Sequence, residues 1–471
     1  MDSEANTYKP INPATGRELD PVELWDADHA ADMVDLAASR FLLWREISFG
    51  ERAERMTAAA DLLEERKEAL ARGVTEEMGK PIVEARAEVE KCAWVCRYYA
   101  ENAESFLETE AIAAKSDDRT FVSYRPLGPI LAVMPWNFPL WQVFRFAAPN
   151  LMAGNVALLK HARNVQGSAN AIERLFSDAG FPGGCFVNLP IGHEVASTVV
   201  ADPRVRAVTM TGSVGGGRQL GAEAGKHLKK TVLELGGSDA YVILEDADVD
   251  HAAEVCAKSR LLNTGQSCIA AKRFIAVDVV HDEFVEKLTH YLNEAAVGDP
   301  LREETDVGPL ARRDLRDDLA SQVERSIEQG AVCRLGGKVP EDPGLAEGFY
   351  YLPTVLAAVC PGMPAFDEEL FGPVAAVVVA SDEAEAVRLA NESNFGLGGA
   401  VFTRDLERGE RIAADEMDCG LVTVNGLVAS DPRVPFGGVK DSGYGRELGI
   451  FGIREFVNIK AVVSSGAAGD S

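Results

Sequence analysis

The chain has little positive charge. Against 47 lysines and arginines stand 74 aspartates and glutamates, giving a formal net charge of −27 at pH 7. The acids run along the whole length, so their field repels nucleic acid and anionic membranes alike. No basic stretch followed by an apolar core opens the sequence, and MDSEANTYKP does not read as a secretion signal. The longest run poor in charge, GPILAVMPWNFPLWQVFRFAAPNLMAG, has the length to span a bilayer. Pro135, Asn137, Pro139 and Arg145 interrupt or charge it at mid-depth, so it reads as soluble core. The eight cysteines are scattered, and the closest pair, Cys92 and Cys96, has helical rather than zinc-binding spacing. A reduced cytoplasmic protein without disulfides or metal is expected. Short-period repeats and low-complexity segments are absent, and so is the dinucleotide-binding pattern G-x-G-x-x-G.

What is present is an α/β texture. The 471 residues suffice for two or three domains. Residues 27 to 114 carry helical periodicity punctuated by Gly50, Gly79 and Pro81. TFVSYRPLGPILAVMP then reads as extended chain. Short apolar runs (NVALLKHA, CFVNLP, AVTMTG, TVLELGG, AYVILED) alternate with helical stretches, which predicts a parallel sheet. The alternation resumes after Cys268, with RFIAVDVV and VAAVVVA each followed by a helix. Two α/β sheets are therefore expected, with a boundary near residue 235, and the closing SSGAAGDS is expected to be disordered.

Two segments invite chemistry. NTGQSCIAAKR sets Cys268 in a polar, glycine-containing run just ahead of a strand, an unusual place for a core cysteine. TGSVGGGRQLG ends a predicted strand and opens a helix, so Gly212, Ser213 and the free N–H groups behind them suit a phosphate. Taken singly, each has a plain structural reading: a small buried thiol and a tight turn.

In company they resemble the aldehyde dehydrogenase superfamily. MPWNFP, LELGG, GQSC and EELFGPV occur in that order and spacing, and the similarity runs from about Pro10 to Val463, through PFGGVKDSGYGRELG. The resemblance implies a Rossmann-type cofactor domain (1–114 and 128–235), an α/β catalytic domain (236–444) and a small β oligomerisation arm (115–127 and 445–471). It makes Cys268 the nucleophile toward an aldehyde and Asn137, with the Cys268 N–H, the oxyanion donors. Glu234 becomes the base that activates water for thioester hydrolysis. Trp136, Lys160, Gly212, Ser213, Glu369 and Phe371 fall on cofactor contacts. A homodimer or homotetramer is implied, because exposed strand edges demand a partner. A CoA-acylating relative commonly lacks the LELGG glutamate, and a non-catalytic one would have lost part of the constellation, so Glu234 favours water as the acyl acceptor.

Within the family, LLKHARNVQGSA and ASDPRVPFGGVKDSGYGRE are most similar to the bacterial branch that acts on succinate semialdehyde. Arg145 matches its carboxylate-binding arginine, and Ser430 is a second donor. A second arginine of that branch is replaced by Leu262, for which Arg260 and Arg433 are candidate substitutes. NAD-preferring relatives carry a glutamate where this chain has Arg163. A cation there, with Lys160 and His161 beside it, leans the expectation from NAD toward NADP. The acidic, arginine-over-lysine composition fits either a salt-rich cytosol or an ordinary acidic enzyme.

Overall fold

The computed structural model describes residues 7–113 and 119–464. After a short antiparallel pair, Thr7–Tyr8 with Val22–Glu23, come four helices, Ala27–Trp44, Phe49–Glu65, Lys67–Met78 and Ile82–Phe106. Their starts follow local chemistry. The Asp26 carboxylate accepts from His29 N–H at the first, and Ser48 and Glu51 form a reciprocal capping box at the second. Gly79, at φ 83°, ends the third, and Pro81 sits just outside the fourth. The helical region stops at Phe106, short of the expected 114, because Glu110–Ile112 joins a sheet.

The first sheet has the strand order Gly443–Tyr444, Lys230–Glu234, Ala207–Thr211, Pro129–Met134, Val156–His161, Phe186–Asn188, parallel except for its first member. Pro129–Met134 and the helix Trp141–Ala153 take up the long apolar run, and among the described residues no helix is long and apolar enough to cross a membrane. Between Glu234 and Ala240 the chain passes to the second sheet. Its order is Val332–Leu335, Thr354–Ala357, Val374–Ala380, Arg273–Val277, Ala240–Ile243, Gly398–Phe402, Leu421–Val424, again parallel but for the first. The central strands, such as Pro129–Met134, Ala240–Ile243 and Arg273–Val277, are buried along nearly their whole length because helices cover both faces of such a sheet.

A third, antiparallel sheet joins Glu110–Ile112, Arg119–Pro126 and Val457–Ser464. The pairing differs from the expected division in two places. Glu110–Ile112 belongs with the arm strands, and Gly443–Tyr444 returns to the first sheet beside Leu233 and Glu234. All eight cysteines are free, and no metal-binding cluster occurs among the described residues. Residues 465–471 of the expected disordered tail lie outside the described residues.

Candidate active site

Cys268 follows a loop whose backbone is forced into an unusual shape. Asn263 and Thr264 have φ of 55° and 57°, and Gly265 follows at 75°. Left-handed conformations at consecutive non-glycine residues are costly, so the surroundings must hold them. They do. Asn263 Nδ2 donates to the carbonyls of Asn137 (2.7 Å) and Gln266 (3.0 Å), its N–H donates to Glu84 (2.7 Å), and Thr264 Oγ1 accepts from Gly308 N–H. A Cβ at Gly265 would stand 2.3 Å from the Gly372 carbonyl oxygen, so only glycine lets the loop close on the LFGP segment. Buried Lys272 then donates to the carbonyls of Ser267 and Cys268 at 3.0 and 2.8 Å. The sequence analysis gave this lysine no role, although it sits in NTGQSCIAAKR.

The helix Trp141–Ala153 supplies the opposite wall. Glu88, from the helix Ile82–Phe106, accepts from the Leu140 and Trp141 N–H groups at 2.8 and 2.9 Å and is itself paired with buried Lys80. Asn137 is fixed at both ends of its amide, with Nδ2 donating to Gln266 O and Oδ1 accepting from Gln142 Nε2, each at 3.1 Å. The amide retains one further N–H.

Cys268 opens into a cavity of about 220 Å³. Its walls are largely apolar, with Phe138, Trp141, Leu262, Ile269, Val428 and Phe436, and its polar members include Gln142, Arg145, Lys91, Ser430 and Glu84. A wider surface groove of about 950 Å³ lies beside Glu18, Arg66 and Arg174, but no cysteine lines it. Burial pushes the Cys268 thiol up to about 12, against the pull of Lys272 and Arg145, so the thiol is protonated at neutral pH and needs a base.

Glu234 ends the strand Lys230–Glu234, in register with Thr211 on one side and Gly443 on the other. Its carboxyl is buried and has no hydrogen-bond partner in the protein. Burial, and then the like charge of Glu447, raise its pKa well above the ordinary range, while Arg145 opposes them. Gly437, at φ 151°, leaves room for it, since a Cβ there would come within 2.6 Å of Glu234 Oε1.

Arg145 lines the cavity as expected, but its charge is already engaged. The guanidinium forms a buried ion pair with Glu447, donates to Thr211 Oγ1 at 3.2 Å and lies 4.5 Å from the Phe436 ring centroid. The proposed substitutes for the second arginine are ruled out by position. Arg260 is fully buried and donates to the Gly265 carbonyl at 2.6 Å, so it braces the cysteine loop. Arg433 pairs with Asp431 at 2.6 Å over the Trp94 ring and does not line the cavity.

The expected cofactor residues gather at the carboxyl ends of the first sheet's strands. Ser213 caps the helix Val214–Lys226, accepting from Gly216 N–H, and a Cβ at Gly215 would meet nothing within 4 Å. That is an exposed helix N-terminus with bare backbone, a suitable seat for phosphate. Glu369 accepts from Gly237 N–H at 2.9 Å, and the Trp136 and Phe371 rings meet edge to face at 5.8 Å. Lys160 is buried at the end of its strand and lowered to about 8 by burial and then by Arg163.

His161 is not part of this cationic group. Its Nε2 lies 2.9 Å from the Pro139 carbonyl oxygen, its Nδ1 lies 3.2 Å from the Met134 carbonyl oxygen and 2.9 Å from the Ala162 nitrogen, and burial lowers its pKa to about 4. Strand alternation turns it inward. Exposed His193 feels both Lys160 and Arg163, and its pKa is lowered by Lys160, then by burial and by Arg163. Only the tertiary fold brings it there.

A crossing point between parallel strands that carries a bare helix N-terminus, set against a loop-borne cysteine, defines a dinucleotide-dependent oxidoreductase with a covalent step. The profile of the aldehyde dehydrogenase family matches residues 1–462, and the chain belongs to that family. It is 48% identical over 452 residues to the probable succinate-semialdehyde dehydrogenase [NADP(+)] of Synechocystis, covering 96% of this chain and 98% of that one. The succinate semialdehyde dehydrogenase [NAD(P)+] Sad of Escherichia coli is 48% identical over 452 residues, covering 96% of each. Among solved structures, a succinic semialdehyde dehydrogenase from Streptococcus pyogenes in complex with NADP+ superposes with a TM-score of 0.94 at 38% identity, covering 97% of this chain and 99% of that one.

Proposed function

We propose that this chain oxidises succinate semialdehyde to succinate with NADP or NAD, using NADP at least as well as NAD. The observation that carries the reading is the cavity at Cys268, whose apolar walls suit a short carbon chain and whose Lys91 and Ser430 suit a carboxylate. The relatives named above support the same substrate and cofactor.

When bound, the nicotinamide dinucleotide supplies a hydride acceptor. Ser213 and the helix start behind it would hold its phosphates, Glu369 a ribose, and Lys160, Arg163 and His193 the extra phosphate of NADP. The chain's own chemistry starts at Cys268. Its thiol first gives its proton to solvent water, the thiolate then adds to the aldehyde carbon, and the resulting oxyanion takes hydrogen bonds from the Cys268 N–H and the remaining N–H of Asn137. Loss of hydride leaves a thioester on sulfur. Glu234 takes a proton from water as that water attacks the thioester, and succinate departs while the thiol is restored.

The three-stranded sheet supports a homo-oligomer. Val457–Ser464 is an edge strand with Ile459 and Val463 60% and 64% exposed, a surface that a second copy would cover. The acidic surface supports a cytoplasm rich in salt, and activity that rises with added salt is the matching expectation.

The test is kcat/KM for succinate semialdehyde and butanal, each with NADP and NAD. Succinate semialdehyde should win by about tenfold or more, and NADP should be used at least as well as NAD. A preference for butanal, or a tenfold preference for NAD, overturns the corresponding half.

A further inference from the structure

We propose that Lys91 is the specificity-determining cation of the substrate cavity, receiving the far carboxylate of the semialdehyde together with Ser430. The inference rests on the proposed substrate class and names the group that recognises it.

Among the described residues two cationic side chains line this cavity and a third stands behind its wall, and the charges of two are spent. Arg145 is paired with Glu447, and Lys80, behind the wall, is paired with Glu88. Lys91 lines the cavity from the helix Ile82–Phe106, and among the described residues it forms no ion pair with a carboxylate. Its Nζ donates to Ser430 Oγ at 2.9 Å and lies 4.4 Å from the Trp141 ring centroid. One of its three N–H groups is thereby used, and two are free to turn toward an anion. Leu262 lines the same cavity with no charge of its own.

A half-buried ammonium held on an aromatic face and a hydroxyl lacks a full counter-charge, and a substrate carboxylate would supply it. The position of the ammonium is set by two elements. Trp141 is fixed by the Glu88 cap on its helix, and Ser430 is buried in the loop before Phe436. A neutral aldehyde gains nothing from such a site.

The groups facing Lys91 are Glu88 and Cys92 on its own helix, Glu84 one turn further back, Arg145 from the neighbouring helix and Asp431 beside Ser430. Burial first, and then Arg145, bring the Lys91 ammonium down to about 8. Its positive charge is present below that pH and lost above it, so affinity for the carboxylate-bearing substrate should fall through the mildly alkaline range.

The experiment compares wild type, Lys91→Met and Lys91→Arg on succinate semialdehyde and butanal. The readout is the ratio of the two kcat/KM values within each protein, which is insensitive to the fraction folded. Lys91→Met should cut the ratio by about tenfold or more through KM for the semialdehyde, and Lys91→Arg should restore most of it. Wild-type KM for succinate semialdehyde should rise above pH 8 while that for butanal does not, and the difference should vanish in Lys91→Met. An unchanged ratio in Lys91→Met, in an enzyme whose wild type prefers the semialdehyde, overturns the role of Lys91. A wild type without that preference overturns the proposed substrate instead.

Discussion

The guanidinium of Arg145 and the carboxylate of Glu447 form an ion pair with only 3% and 6% of their side chains exposed, directly behind the Glu234 carboxyl. Removing one member leaves the other charged and buried. Arg145→Met should therefore lower turnover of every aldehyde, butanal included, and destabilise the fold by about 3 to 5 kcal/mol. Denaturant unfolding and two-substrate kinetics check this. A loss confined to succinate semialdehyde, with stability unchanged, would make Arg145 the carboxylate ligand itself.

The same pair governs pH dependence. Glu234 acts as a base only when ionised, and burial followed by Glu447 raises its pKa, so wild-type thioester hydrolysis should gain rate as pH rises through that elevated value. Glu447→Gln removes the like charge and frees Arg145 to face Glu234, so the pKa should fall and the acid limb of kcat should move to lower pH. An acid limb in the same place would detach Glu447 from the base.

Cys268→Ala should reduce turnover to below about 1% of wild type, because no neighbouring group replaces the sulfur in covalent addition. NADP should still quench tryptophan fluorescence, since the thiol lies apart from the helix start at Ser213. Substantial remaining dehydrogenase activity would contradict a thioester route.

Arg163→Glu should turn cofactor preference toward NAD by about tenfold or more, because a carboxylate beside Lys160 repels a 2′-phosphate and can bind ribose hydroxyls instead. His193→Ala should weaken NADP more at pH 6 than at pH 8, since the imidazole adds positive charge only when protonated. Cofactor kinetics at the two pH values decide both.

Much of this site was legible because its parts sit in short strings. Asn137, Glu234, Cys268 and Glu369 each occupy a short string, and the resemblance of those strings, taken together, to the aldehyde dehydrogenase superfamily implied their roles, while the strand–helix alternation announced both sheets. The missing parts are those that depend on tertiary approach. Lys91 lies on a long amphipathic helix, where periodicity tells which face is buried but not which polar residue meets a cavity. Glu447 reaches Arg145 only because Phe436 and Glu447 pair backbone to backbone beside it. His161 read as a partner of Lys160 because it is adjacent in sequence, yet neighbours on a strand face opposite sides.

The account turns on an acyl group carried by Cys268 and released by Glu234. Glu234→Gln protein mixed with succinate semialdehyde and NADP should give one burst of reduced cofactor and then stall, leaving the mass of one succinyl group on the peptide that contains Cys268. Steady turnover without a burst, or an adduct on any other residue, would contradict it.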